Sequence, residues 1–149
     1  MKRSKRMQPV KKLKQQEERM KAQHFAKTQQ DVQREQSQLD MLIKYQGDYF
    51  SGLSQGSGEA RNVGLSAQQL DKYQLFLARL HTAIENQRQV LVLKQKAMEA
   101  ARQEWAAAHA RLKAMDNLIE KMKEDESRHE DKLEQRMIDD LPLRNNRYD

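Results

Sequence analysis

Apolar side chains recur at alternating steps of three and four residues through the second half of this chain, and this spacing constrains the fold most strongly. Fourteen of sixteen successive positions in the series are apolar, over more than seven heptads, with charged residues between them. Such a repeat predicts one long α-helix with a coiled-coil seam along it. The positions are Leu70, Tyr73, Leu77, Leu80, Ile84, Gln87, Leu91, Lys94, Met98, Ala101, Trp105, Ala108, Leu112, Met115, Ile119 and Met122.

The composition agrees with long helices better than with a compact multilayer core. Of the 149 residues, 37% are hydrophobic, 34% are charged and 5% are aromatic. This balance is usual for long helices or disorder, and the heptads favour helices. The chain has no cysteine, no apolar run of the ~20 residues that a membrane span needs, and no apolar region after its basic start. We therefore expect a cytosolic protein.

Proline and glycine divide the chain into two helical segments. Pro9 and Pro142 are the only prolines, and all five glycines lie between residues 47 and 64. Ser66 and Gln69 form a capping box at the start of the second helix, and Leu65 can pack on Leu70 beside it. The predicted organisation is a basic tail over 1–9, helix one over 10–53, a glycine-rich hairpin loop over 54–65, helix two over 66–140 and a C-terminal tail over 141–149.

The first segment carries a matching seam, formed by Phe25, Val32, Leu39, Leu42, Gln46, Tyr49 and Leu53. Before Phe25 the apolar residues Val10, Leu13 and Met20 predict a shifted register. Two amphipathic helices joined by a short loop fold back on each other, which predicts an all-α, antiparallel two-helix coiled coil. A turn near residue ~59 would leave part of helix two without a partner in the chain, and this overhang would include Leu112, Met115, Ile119 and Met122.

The charge of the chain is uneven. Residues 1–30 contain ten Lys or Arg and two Glu, whereas residues 120–140 contain nine acidic and five basic residues, within a net charge of +6. The basic segment could bind nucleic acid, acidic protein surfaces or anionic lipid, or it could simply keep the terminus soluble.

No catalytic or metal site is predicted. The glycine-rich stretch GSGEARNVG matches neither phosphate-binding glycine motif, because Arg61 occupies a position that needs glycine and no strand precedes the loop. Glu126 and His129 form one E-x-x-H motif, whereas a di-iron bundle uses two. We therefore expect no enzyme activity and no cofactor.

Aromatic residues concentrate around the predicted turn. Tyr45, Tyr49, Phe50, Tyr73 and Phe76 lie there, and a two-helix seam cannot cover all of them. An exposed apolar patch usually marks a binding site for a partner. The alternative is a purely structural oligomer in which further copies cover the patch. On helix two the surplus follows a line through Phe76, Leu80, Ala83, Gln87 and Val90, and on helix one Ile43 and Phe50 lie beside the seam.

Three stretches of this sequence resemble the FliJ family of the bacterial flagellar type III export apparatus. They are QLDMLIKYQGDYFSGL at 38–53, YQLFLARLHTAIENQRQVL at 73–91, and the seam through Trp105 with its charged continuation. The resemblance implies an antiparallel coiled coil similar to the γ-subunit stalk of rotary ATPases. It also implies a non-enzymatic protein of flagellar biogenesis and motility, which lies at the cytoplasmic face of the inner membrane at the flagellar base.

The partners implied by the resemblance are the hexameric export ATPase, the cytoplasmic linker of the membrane export gate, and export chaperones. The family's gate-binding patch would fall here on Gln38, Leu42, Tyr45, Tyr49, Phe76, Leu80, Ala83 and Gln87. Position 87 is a histidine in some relatives, but glutamine can also donate and accept hydrogen bonds.

Overall fold

The computed structural model describes residues 1–55 and 66–145, with side chains over 1–52 and 66–141. Helix α1 spans Arg3–Gln55 and helix α2 spans Ala67–Asn145, and these ranges contain no strand. The predicted all-α class with two long packed helices is confirmed. Residues 56–65 of the predicted hairpin loop and residues 146–149 of the predicted C-terminal tail lie outside the described residues, as do Leu65 and the side chain of Leu53.

Both helices extend further than the prolines predicted. Helix α1 begins at Arg3 and includes Pro9, so most of the predicted N-terminal tail is helical. Helix α2 continues through Pro142 to Asn145 instead of ending at residue 140. A proline removes one hydrogen bond from a helix, but packing against another element contributes more to helix stability than local preference does. For α1, that packing involves the contacts of Ser4 described below.

The predicted start of α2 is confirmed by its hydrogen bonds. The Ser66 Oγ accepts a bond from the main-chain N–H of Gln69 at 3.2 Å, and the Gln69 Oε1 accepts one from the Ser66 N–H at 3.2 Å. This reciprocal pair is a capping box, and it satisfies N–H groups that the first turn of a helix leaves without partners.

Contacts divide the molecule into two units. Unit 1 consists of Met1–Ala22 and Glu104–Asp149, and unit 2 consists of Gln23–Gln103. Each helix contributes a segment to both units. Within each unit the segments run antiparallel, because the residue numbers of contacting partners rise along α1 and fall along α2.

Unit 2 is held together by an apolar core on the predicted seams. Leu39 of α1 and three residues of α2, Leu80, Ile84 and Leu91, form a buried cluster, against which Val32 and Leu42 pack. Ile84 is the most deeply buried large side chain, with 2% of its surface exposed. The heptad prediction is therefore correct for the core of this unit on both helices, whereas the predicted seam residues Tyr49 and Leu70, nearer the turn, are 40% and 45% exposed.

In unit 1 the inward residues of α1 keep the same heptad spacing, but most of their side chains are polar or charged. The register predicted for α1 from Val10, Leu13 and Met20 is wrong here. Leu13 and Met20 are 65% and 69% exposed, and Val10 is also exposed. An uninterrupted helix keeps its inward face, so the shifted apolar residues point away from α2. The α1 residues that lie at least half-buried at three- and four-residue steps are mostly polar or charged: Ser4, Met7, Lys11, Lys14, Glu18 and Lys21.

These polar side chains find partners on α2. The Glu126 carboxylate accepts hydrogen bonds from the Ser4 N–H at 3.0 Å and the Ser4 hydroxyl at 2.7 Å, and Ser4 is buried. These bonds, from the main-chain N–H first and the hydroxyl second, hold the pKa of Glu126 below its ordinary value. Glu18 accepts a hydrogen bond from the Trp105 indole at 2.9 Å, and the Trp105 ring stacks on His109.

The overhang predicted at residues 112–122 is also wrong. Ile119 is 3% exposed, and the neighbouring seam residues are half-buried. Because α1 begins earlier than predicted and Lys11 pairs with Asp116, the first turns of α1 lie beside this part of α2. The described side chains of 131–141 are all exposed, including Leu133, Met137 and Ile138.

Candidate docking surface

The eight residues predicted to bind a partner all lie in unit 2, and we refer to them as the docking surface. They differ in exposure. Four are exposed, three are half-buried, and Leu80 is buried with 8% of its surface accessible. The exposed residues are Gln38, Tyr45, Tyr49 and Phe76, and the half-buried residues are Leu42, Ala83 and Gln87.

An aromatic group joins the two helices at one end of the docking surface, where Tyr49 of α1 and Phe76 of α2 meet. The ring centroids of Tyr49 on α1 and Phe76 on α2 lie 4.6 Å apart, and the planes are tilted by 31°. Their exposed fractions are 40% and 42%. Aromatic pairs at this distance stabilise their own arrangement, so both rings are held in place while their outer surfaces stay accessible.

Tyr73 belongs to the same group; the sequence placed it in the seam and among the aromatic residues near the turn, but not among the eight predicted binding residues. Its ring centroid lies 5.5 Å from that of Tyr49, and its hydroxyl donates a hydrogen bond to the Tyr49 carbonyl at 2.9 Å. Burial, followed by the neighbouring Tyr49, raises the pKa of Tyr73, which favours the protonated phenol that donates this hydrogen bond. Its position one helical turn before Phe76 is the signal that could have identified it.

Leu80 and Leu42 connect the docking surface to the buried core of unit 2. Leu80 is part of the buried cluster of unit 2, and Leu42 packs against that cluster. Their apolar burial fixes the two helices under the exposed rings. The structure thus places Leu80 in the core.

Gln87 lies at the far end of the docking surface from Tyr49 and is engaged within the chain. Its side-chain nitrogen donates to the Glu35 carbonyl oxygen at 3.0 Å and to the Glu35 carboxylate at 2.6 Å. Glu35 was not among the residues that the sequence singled out. A glutamate at a seam position opposite a seam glutamine was the available signal.

Further apolar side chains are exposed around the docking surface. Ile43 and Phe50 are 41% and 52% exposed. In heptad terms they flank the α1 seam on the side opposite to Gln38 and Tyr45. Unit 2 therefore exposes aromatic and aliphatic groups on both flanks of α1, in keeping with the surplus that the sequence predicted.

Across residues 1–55 and 66–145, no group of three or more His, Cys, Asp or Glu side chains is arranged to hold a metal ion. In the part of the chain that the structure describes, neither helix combines the length and apolar character that crossing a membrane requires.

The paired helices and their heptad seams define the class of this molecule, a coiled-coil protein of two antiparallel helices. The chain belongs to the flagellar FliJ protein family, whose profile matches residues 3–147. It is therefore a component of bacterial flagellar protein export. The chain is 29% identical to the flagellar FliJ proteins of Salmonella typhi and of Escherichia coli strain K12. Each match covers 112 residues, which is 75% of this chain and 74% of the relative.

Proposed function

We propose that this protein is a non-enzymatic adaptor of flagellar export and that its docking surface binds the cytoplasmic linker of the membrane export gate. The main support is the exposed Tyr49–Phe76 pair, which joins both helices and rests on a buried core. Aromatic residues in such positions often contribute most of the binding free energy of an interface. Tyr45, with 52% of its surface exposed, adds a further aromatic contact.

The proposal includes further roles, for which the family resemblance is the support. The adaptor assembles and stimulates the hexameric export ATPase, as a stalk similar to the γ subunit of rotary ATPases would, and it handles export chaperones. It acts at the cytoplasmic face of the inner membrane at the flagellar base. Comparing the ATPase rate with and without the purified protein tests the stimulation directly.

Substituting Phe76→Ala or Tyr45→Ala tests the gate contact. Each change removes an aromatic side chain that is at least 42% exposed, so we expect helicity and unfolding temperature to change little. We expect binding to the gate linker to weaken about tenfold or more, because truncating an interface aromatic commonly costs over ~1.4 kcal/mol. Circular dichroism measures the first property and titration calorimetry the second.

Leu75→Ala is the matched control. Leu75 is adjacent to Phe76 in sequence and is 52% exposed, but it lies outside the docking surface. Its substitution should leave gate binding within about twofold of the wild type. Equal losses of binding for Leu75→Ala and Phe76→Ala would contradict a defined contact at Phe76, and a large loss of helicity on Phe76→Ala would indicate a core role instead.

The alternative of a nucleic-acid-binding coiled coil is less well supported. Three lysines in the N-terminal part of unit 1 make ion pairs with acidic side chains of α2, which leaves less of the basic charge for phosphate groups. The pairs are Lys2 with Glu130, Lys11 with Asp116, and Lys21 with Glu104. Salt-dependent binding to duplex DNA would favour this alternative, because phosphate contacts release counterions.

The other alternative is a structural oligomer, in which further copies of the chain would bury the docking surface. It requires further copies to cover Tyr45, Tyr49 and Phe76, and these side chains are exposed in the single chain. Sedimentation of the purified protein as a monomer would exclude it.

A further inference from the structure

Gln87 occupies a polar position in an otherwise apolar stretch of the α2 seam. The neighbouring seam residues Ile84 and Leu91 are 2% and 7% exposed. Between them the Gln87 amide nitrogen makes two hydrogen bonds to Glu35, one to its main-chain carbonyl and one to its carboxylate. An amide nitrogen carries two donor hydrogens, so these bonds use its full donor capacity.

Because both acceptors belong to Glu35, the two hydrogen bonds hold Gln87 beside one particular residue of α1. A main-chain carbonyl has a fixed position on the helix axis, and a bond to a carboxylate is stronger than one between neutral groups. Apolar seam contacts alone recur every seven residues, whereas a single polar pair at a seam position specifies one register. The Glu35–Gln87 pair therefore distinguishes the observed register from one displaced by a heptad, a shift of about 10 Å.

The docking surface depends on this register. Tyr49 and Phe76 approach to 4.6 Å only in the observed alignment of the helices, and the Tyr73 hydroxyl reaches the Tyr49 carbonyl in the same alignment. Leu39 and Leu80 lie in the buried cluster between the polar pair and the aromatic group.

We infer that Glu35 is a positioning residue of the docking surface, which acts through Gln87 to fix the register of the two helices. On this inference Gln87 faces Glu35 and is not itself a contact of the partner, in contrast to the assignment implied by the family resemblance. The inference rests on the proposed gate binding for its binding measurements, but its structural part can be measured without any partner.

A double-mutant cycle for gate-linker binding tests the inference. We expect Glu35→Ala and Gln87→Ala each to weaken binding about three- to tenfold, and the double variant to bind no more weakly than Gln87→Ala alone. Glu35→Gln keeps oxygen acceptors and should bind within about twofold of the wild type. Losses that multiply in the double variant would show that Gln87 contacts the partner directly, and would overturn the inference.

Gln89→Ala is the matched control, because Gln89 is an exposed amide two residues further along α2. It should bind like the wild type. A loss equal to that of Gln87→Ala would show a general effect of amide removal on this helix, and would also overturn the inference.

A second measurement separates the inference from the proposed function. In the free protein, nuclear Overhauser contacts between the rings of Tyr49 and Phe76 report the register. We expect them to weaken in Gln87→Ala and in Glu35→Ala and to persist in Gln89→Ala. If the wild type failed to bind the gate linker, the proposed function would be wrong while this result would stand. Unchanged contacts between the two rings in both Gln87→Ala and Glu35→Ala would overturn the inference itself.

Discussion

Units 1 and 2 use the same heptad spacing but are held together by different interactions. In unit 2 the core residues of α1 are apolar: Val32, Leu39 and Leu42 pack on the leucines and isoleucine of α2, and Glu35 and Gln87 form a polar pair in the same seam. In unit 1 the equivalent positions of α1 include Ser4 and Glu18, which hydrogen-bond to α2. Heptad spacing thus decides which face of a helix turns inward, whereas the side chains on that face decide which forces hold the helices together.

The difference between the units arises mainly from α1. Helix α2 presents buried apolar side chains in both, such as Ile84 in unit 2 and Ile119 in unit 1. Burial of a large aliphatic side chain contributes about 1.5–3 kcal/mol, whereas an exposed ion pair contributes about 0–1 kcal/mol. We therefore expect unit 2 to respond most strongly to core truncation and unit 1 to respond to pH and salt.

The largest loss of stability is expected for Ile84→Ala in unit 2. It removes the most deeply buried large side chain of the core, and a truncation of this kind typically costs about 2–5 kcal/mol in the free energy of unfolding. Urea denaturation followed by circular dichroism measures the change. The control is Leu93→Ala, because Leu93 is 65% exposed and should cost no more than about 0.5 kcal/mol. Similar costs for the two variants would contradict the apolar core described for unit 2.

A smaller loss of stability, which depends on pH, is expected for Glu126→Gln in unit 1. The pKa of Glu126 lies below its ordinary value because the ionised carboxylate accepts two bonds from Ser4. Its stabilising contribution is therefore fully present above the pKa of the unfolded chain, and it is lost as the pH falls through the lower pKa of the folded state. At neutral pH we expect the variant to unfold at a lower temperature than the wild type.

The difference in unfolding temperature between the Glu126→Gln variant and the wild type should narrow as the pH falls below the ordinary pKa of a glutamate and through the lower pKa of Glu126, because the wild-type carboxyl group then becomes neutral as well. Thermal unfolding across this pH range is the measurement. Glu124→Gln is the control, since Glu124 is exposed and makes no hydrogen bond or ion pair among the described residues. A constant difference at every pH would show that Glu126 does not act through its charge.

The smallest loss of stability is expected for Lys21→Gln in unit 1. This change removes the exposed ion pair between the Lys21 Nζ and the Glu104 carboxylate at 3.2 Å. We expect a loss of about 0.2–1 kcal/mol at low ionic strength, which should largely disappear near ~1 M salt. Lys12→Gln is the comparison, because Lys12 is exposed and has no ion pair among the described residues. Loss of stability that does not depend on salt would argue that the lysine stem packs on α2 instead.

Much of the fold could be predicted because its signals are local. The seam of α2 and the Ser66–Gln69 capping box each depend on residues a few positions apart, and both were confirmed. The register of α1 before Phe25 could not be predicted in the same way. Three apolar residues favoured one face, but an unbroken helix and polar partners on α2 selected another.

The exposure of the side chains in the candidate docking surface was predictable in part. Family resemblance and the aromatic surplus pointed to Tyr45, Tyr49 and Phe76, and all three are exposed. Neither source could separate Leu80, which is buried, from these exposed residues, since Leu80 lies only one helical turn from Phe76 on the line of α2 that the sequence predicted. The contacts of Tyr73 and Glu35 were not predicted, because they join residues 24 and 52 positions apart.

The sequence by itself determined that the chain forms two long helices, which face of α2 turns inward, and where α2 begins. These properties follow from heptad spacing and from hydrogen bonds within a single turn. Only the tertiary structure decided the alignment of α1 on α2, the use of Pro9 within a helix, and the engagement of Gln87 by Glu35. The physical reason is that these features depend on free energies of contact between distant segments, which local periodicity does not encode.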